Sequence, residues 1–327
     1  MLNKLTPIHK LILLSVLTLL IAALYLLYNI NPNILTYQLT GRVRKVIAML
    51  LVGGSIAVST VIFQTITNNR ILTPSIIGLD AVYMFIKTSL IFLFGSTSTV
   101  VLNNHLNFLI TLVGMILFSL FLFQILFRSK DQNVFFILLL GIVFGTFFSS
   151  FSSFIEMMID PEEFLSIQSA MFASFGAINE GLLTISGVVL LIMIFIAFKI
   201  KNYLDVLSLG RDQAINLGVN YTNVTRWLMV MVALLVTIST ALVGPITFLG
   251  LLVVNLAHEF IKEFEHKYIL PASILISWIS LFLGQWVVEH LFEGNTEISI
   301  MINFIGGIYF IFLILKERNV AWLKSKD

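Results

Sequence analysis

The chain reads as long apolar runs separated by short polar stretches. A helix that crosses a bilayer needs about 20 mostly apolar residues. In lipid the backbone must satisfy its own hydrogen bonds, so runs of that length are helices. They fall near 10–29, 43–66, 75–95, 107–127, 134–156, 181–199, 224–243, 246–262, 270–291 and 298–315. The pattern predicts an all-α polytopic membrane bundle of about ten spans, organised as a single transmembrane domain over 1–327. The seventh and eighth runs are separated only by Val243-Gly244-Pro245. The first follows Lys4 and Lys10 as a signal peptide's apolar core would. Its apolar stretch is longer than such a core, however, and no small-x-small cleavage site closes it, so it is read as an uncleaved helix.

Composition agrees with this reading. Hydrophobic residues make up 58% of the 327 and charged residues 11%, against about a quarter charged in soluble proteins. With a mean hydropathy of +1.01, this excludes a soluble globular domain and a disordered chain. Cys is absent, which removes disulfides, thiolate metal sites and thiol nucleophiles. A net charge of +2 gives no reason to expect a nucleic-acid partner. The cations set the orientation. One set of loops and the C-terminal tail carry Lys10, Arg70, Arg128, Lys130, Lys201, Arg211, Lys316 and more. The opposite set carries only Arg42, Arg44 and Lys45. Both termini are therefore expected in the cytoplasm.

Three features go beyond a plain bundle. Arg42-Val43-Arg44-Lys45 sits on the outer side against the charge rule; it suits headgroup contact or an acidic docking partner. The longest cytoplasmic connection, 200–223, contains Leu209-Gly210-Arg211-Asp212-Gln213-Ala214-Ile215-Asn216-Leu217-Gly218. Glycines bracket one or two helical turns there, and Ala214, Ile215 and Leu217 give them an apolar side. The segment either lies on the membrane or fills a cytoplasmic partner's groove. Asp80 and Lys87 lie inside the third span, seven residues apart on nearly one helix face. Such charges either pack as a pair or line a polar pathway.

Sequence signals for covalent chemistry are missing. No Lys follows a Gly, so there is no phosphate-binding loop. His258-Glu259 begins like a zinc-protease motif, but position 262 is Lys. His258 and His266 are expected as solvated polar residues, and no metal site is expected. Small residues recur inside spans, at Gly53, Gly54, Ser55, Ser59 and Thr60, and again at Gly141, Gly145, Ser149 and Ser150. They permit close helix packing. Gly244-Pro245 and Gly306-Gly307 break or loosen helices, as happens where a polar pathway crosses a transporter. Stretches 44–65 and 226–247 share a similar rhythm, a hint of two related halves.

These landmarks, in this order, resemble the FecCD-type permeases of bacterial ABC importers for iron–siderophore complexes, a family that includes the cobalamin permease. Arg42 to Gln64 is similar to the family's R-L-P-R…L-L-V-G…Q segment. Thr73-Pro74 to Gly78 is similar to its P-x-x-L-G. Leu209 to Gly218 resembles its cytoplasmic loop, and Gly244-Pro245-Ile246-Thr247-Phe248-Leu249-Gly250-Leu251 its G-P-I-x-F-x-G-L. Leu270-Pro271 and Gly306-Gly307 complete the series. There are departures. Val254, Asn255 and His258 stand where the family usually has Pro, His and Arg. Ile308 replaces a Pro, and Glu289, His290 and Glu293 occupy a region that usually carries a further basic residue.

The resemblance implies a subunit that binds no cofactor of its own. It would pair with a second permease, a non-identical paralogue or itself, and be driven by two copies of a cytoplasmic ATPase that hold ATP and Mg. A siderophore-binding protein would deliver ferric chelate to Arg42, Arg44 and Lys45. The ATPase would grip Leu209, Gly210, Arg211, Asp212, Ala214, Leu217 and Gly218. Gln64, Asp80, Lys87, Ser149 and Phe248 are the pathway candidates, with Gly244 and Pro245 as the helix break. The wording from Leu79 to Ile86 resembles the branch that serves catecholate or mixed catecholate–carboxylate siderophores. An ion-coupled secondary transporter, with Asp80 as its relay, is the alternative, as is another cargo such as cobalamin or heme.

Overall fold

The computed structural model describes residues 6–29, 32–128, 134–176 and 178–324. Lys130, used above for orientation, lies outside them, as do Lys4 and Lys326. Among the described residues the secondary structure is helical throughout. The helices are α1 (Pro7–Leu27), α2 (Leu35–Thr67), α3 (Leu79–Phe94), α4 (Thr99–Leu102), α5 (Asn104–Arg128), α6 (Val134–Glu156) and α7 (Pro161–Ala170). They continue with α8 (Glu180–Lys199), α9 (Lys201–Leu207), α10 (Arg211–Asn216), α11 (Tyr221–Val243), α12 (Leu249–Ile261), α13 (His266–His290) and α14 (Ile298–Lys324).

Each apolar run became a helix. Among the described residues, eight of them (α1, α2, α5, α6, α8, α11, α13 and α14) are long and apolar enough to cross a membrane. The other two, α3 and α12, have 16 and 13 residues. At 1.5 Å per residue they reach about 24 and 20 Å, short of a hydrocarbon layer about 30 Å thick. Irregular chain precedes each of them: Thr73–Gly78, which holds the short 3-10 helix Pro74–Ile77, before α3, and Gly244–Phe248 before α12. Irregular backbone at membrane depth must be enclosed by protein. Thr73, Pro74, Gly78, Gly244, Pro245 and Ile246 are all buried.

The central helix is α2. Its most apolar stretch is 83% buried, and its glycines let neighbours approach. A Cβ on Gly53 would lie 2.7 Å from Leu281 Cδ1 and 2.8 Å from Ser277 Oγ. At that crossing α13 bonds directly to the α2 backbone. Ser277 Oγ donates to Gly53 O at 2.9 Å and Trp278 Nε1 to Leu50 O at 2.8 Å. α11 packs against another side of α2. The outer ring of α1, α5, α6, α8 and α14 is mostly unburied, as surfaces facing lipid or other subunits must be.

The two halves hinted at by the sequence rhythm have matching construction. A long buried helix (α2, α11) runs into a break with a proline (Pro74, Pro245) and a positive-φ glycine (Gly78 at 86°, Gly244 at 98°), then a short helix (α3, α12). By the charge asymmetry α2 runs inward and α11 outward, so the repeat is inverted. In transporters built this way, binding sites cluster where the repeats meet near mid-membrane.

Candidate functional site

The two breaks touch. Thr247 Oγ1, in the second break, donates to Asp80 Oδ2, in the first turn of α3, at 3.2 Å. They border a small cavity of about 20 Å³ lined by Ser59 and Thr60 of α2, Thr73 to Ser75, Asp80, Thr240 of α11, Ile246, Thr247 and Gly250. Close backbone approaches hold each break. Gly141 and Gly145 of α6 receive the first. A Cβ on Gly141 would meet Ile76 O at 2.5 Å, and one on Gly78 would lie 3.0 Å from Gly145 Cα. The second is pinned by Ser174 N donating to Val243 O at 2.8 Å, with Gly244 against Ala173. Phe248 fills the notch at Gly306, where a Cβ would sit 2.4 Å from its own Cβ.

Asp80 and Lys87 do not pair. Lys87 Nζ donates to Asn107 Oδ1 and lies 5.3 Å from the centroid of the Tyr83 ring. It faces a separate cavity of about 250 Å³ between α3, α5, the 169–179 segment and the end of α11. Gln64 is buried and donates to Arg70 O at 2.6 Å. Asn255, one of the departures from the family pattern, donates to the same carbonyl at 2.9 Å. Ser149 is exposed on α6, on the side of the helix turned away from Phe147, Phe151 and Phe154. Asp80 and Lys87 thus border separate cavities, while Gln64 and Asn255 share the Arg70 carbonyl.

Each outer cation has an internal partner. Arg42 Nη1 donates to the carbonyls of Tyr25, Leu26 and Tyr28 at 3.3, 3.1 and 2.6 Å, closing the C-terminal end of α1. Lys45 Nζ donates to Glu289 Oε1 at 2.6 Å, an oxygen that also accepts from Tyr25 OH at 3.0 Å and Gln285 Nε2 at 2.8 Å. Glu289, which stands where the family resemblance expects a base, is therefore the anion that Lys45 binds. Arg44 pairs with Glu180, and this pair is the more open one: its side chains are 38% and 67% exposed, against 27% and 20% for Lys45 and Glu289.

On the cytoplasmic side the 200–223 connection folds as α9 and α10, closed by Gly210 and Gly218 at φ of 97° and 84°. Ala214 is buried against the bundle, whereas Ile215 and Leu217 stand 48% and 61% exposed. The apolar side is thus split: one residue anchors the loop and two project from it.

Sequence reasoning missed how this loop is fastened. Asp205 of α9 accepts from the backbone N of His266 at 2.7 Å, and its Oδ1 lies 2.7 Å from His266 Nδ1. His266 Nε2 lies 2.8 Å from Thr65 Oγ1 of α2. His266 is thus buried and bonded on both nitrogens instead of solvated. Across 61 residues of sequence nothing marks the two as partners. Among the described residues no group of three or more His, Cys, Asp or Glu converges as a metal site.

Residues 10–316 match the FecCD transport family. The chain is 53% identical over 313 residues to the petrobactin import system permease protein YclO of Bacillus subtilis (strain 168), covering 96% of this chain and 98% of that protein. It is 35% identical over 277 residues to the petrobactin import system permease protein FatC of Bacillus anthracis, covering 85% and 78%. In fold it is similar to a solved metal-chelate type ABC transporter in an inward-facing conformation. The TM-score is 0.82, with 24% identity over 95% of this chain and 100% of that one.

Proposed function

Because the chain belongs to the FecCD transport family, a permease subunit of an ABC importer in the cytoplasmic membrane, we propose that its cargo is a ferric siderophore of the petrobactin kind. The observation that carries this is the 53% identity to a petrobactin permease along almost the full length of both chains. The wording from Leu79 to Ile86 supports a catecholate-bearing chelate. An importer of this type needs a second permease and a separate ATPase. We read the second permease as a non-identical paralogue, because Glu289 stands on the outer face where a base is expected.

In this reading the chain binds the complex, couples it and moves, and it performs no covalent step. The ATPase engages the 209–218 loop through Ile215 and Leu217, with Arg211 and Asp212 as its polar points, and ATP-Mg stays in that partner. Its closure pulls on α9 and, through Asp205 and His266, on α13 and α2. Outside, a siderophore-binding protein meets the Arg42–Lys45 corner. Arg44 is the cation best placed to exchange Glu180 for a carboxylate of that protein. The Ser149 side of α6 and the exposed apolar surface of α14 face the second permease, and the cargo passes between them. Exposed Ser149 lies on that route.

The test is iron uptake in a strain lacking this gene, with labelled ferric petrobactin and a labelled ferric hydroxamate supplied separately. Loss of petrobactin uptake alone, restored by the intact gene, is expected. Unchanged petrobactin uptake in the deletion strain would overturn the assignment.

A further inference from the structure

We propose that the cavity around Lys87 is an oxyanion site that takes a phosphate group, either from the headgroup of an outer-leaflet phospholipid or as free phosphate. Charge gives the first reason. Lys87 stands in the middle of α3, and among the described residues its ammonium makes one hydrogen bond, to the neutral amide of Asn107. None of the described residues lining the cavity of about 250 Å³ that it faces is acidic. Glu180, next to the lining residue Asn179, is taken by Arg44. A partly buried cation without a counter-charge is costly and calls for an anion.

The lining gives the second reason, because it holds unused donors. Tyr83 of α3 borders the cavity and is only 5% exposed, yet among the described residues its hydroxyl has no hydrogen-bond partner. Asn179, the N-cap of α8, accepts from Gly181 N and Leu182 N through Oδ1, which leaves its amide NH2 to donate. Ser174 Oγ accepts from Gly176 N and keeps its own proton. Asn104 opens α5 on the same rim. The N-terminal ends of α5 and α8 therefore both meet the cavity, and such ends favour negative charge. The C-terminal end of α11 forms another wall, but the Thr240 and Val243 carbonyls there already accept from Gly244 N and Ser174 N. Donors that arrive from α3, α5 and the 169–179 segment suit tetrahedral phosphate oxygens better than a planar carboxylate, and Lys binds phosphate as a point charge. Location adds an independent reason. By the charge asymmetry, α5 and α8 begin at the outer surface, at headgroup level, and both belong to the mostly unburied outer ring. Phe108, Ile178 and Leu182 give the lining an apolar part, as an amphiphile's site requires. A phosphate there bridges α3 to the starts of α5 and α8.

The experiment uses the assembled importer, purified with its partner permease and ATPase and stripped of lipid in detergent. Equilibrium binding is measured for radiolabelled inorganic phosphate and for radiolabelled dihexanoyl phosphatidylglycerol. Dihexanoylglycerol, which lacks the phosphate, is the control, and acetate is added as a competitor. Saturable binding of at least one phosphate compound is expected, and the compound that binds identifies the source. Lys87→Gln and Tyr83→Phe should each weaken that binding about tenfold or more, as the loss of one hydrogen bond to a charged group does. If Lys87→Gln does not assemble, Tyr83→Phe, which removes a single oxygen, decides the matter. Absence of saturable binding, equal binding of the control, or wild-type affinity in the variants would overturn the proposal. Acetate that binds more tightly than both phosphate compounds would overturn it too, in favour of a carboxylate. Neither phosphate compound is the cargo, so failure here is distinct from failure of the siderophore assignment.

Discussion

Asp205 holds His266 twice, at the backbone nitrogen and at the ring, with both contacts at 2.7 Å. This joins the cytoplasmic connection to the first residue of α13, and through Thr65 to the central helix. When the ATPase moves the cytoplasmic loop, this is the stiff link that passes the movement inward. Asp205→Asn removes the charge-assisted part of the link, worth about 1.5–3 kcal/mol for such a bond. The variant should insert and assemble normally, yet its transport per ATP hydrolysed in reconstituted vesicles should fall about tenfold or more. Unchanged stoichiometry of transport to hydrolysis would remove the link from the coupling path.

The two projecting residues of the cytoplasmic loop, Ile215 and Leu217, have a separate test. Replacing Ile215 and Leu217 together by Ser leaves buried Ala214 and both loop glycines in place. The bundle should keep its stability, because the two side chains are largely exposed. The ATPase should no longer copurify with the permease, since apolar anchors supply most of the affinity of such a small contact. Normal copurification would place the grip elsewhere.

Arg44 and Lys45 are neighbours with different predicted behaviour. Arg44→Glu should weaken association with the binding protein, most at low salt, where exposed charges act at longest range. Lys45→Ala should instead act on the fold. Glu289 loses a charged partner while still accepting from Tyr25 and Gln285, a loss of about 2 kcal/mol. Binding titrations at two salt concentrations and thermal melts of both variants check this. Equal effects on both readouts would contradict the division.

Gly306 and Gly307 provide an internal control on helix packing. A Cβ at 306 would collide with Phe248, whereas one at 307 meets nothing within 4 Å. Gly306→Ala should destabilise by about 1–3 kcal/mol through overpacking. Gly307→Ala should leave melting unchanged or slightly improved, since Ala favours the helix.

Much of this was legible in the residues. Ten apolar runs gave ten helices, because a membrane interior leaves the backbone no alternative. Val243-Gly244-Pro245 marked a true separation of α11 from α12, since proline cannot continue a helix and the glycine sits at positive φ. Gly210 and Gly218 bracketed the cytoplasmic turns for the same conformational reason. The pairings were not legible. Lys45 with Glu289 joins residues 244 positions apart, and Asp80 with Thr247 residues 167 apart. Periodicity reports which face a residue occupies and is silent about what meets it. Asp80 and Lys87 show the limit most clearly: they share a helix face by spacing, yet their side chains extend to different neighbours.

The central claim is that this chain is a gate moved by a separate ATPase. The most direct measurement is uptake of labelled ferric petrobactin into vesicles holding the purified permease pair with its ATPase, the binding protein outside and ATP trapped inside. Accumulation is expected only with ATP and the ATPase present, and it should survive collapse of the proton and sodium gradients. Accumulation by the permease pair alone, driven by either gradient without ATP, would contradict the account.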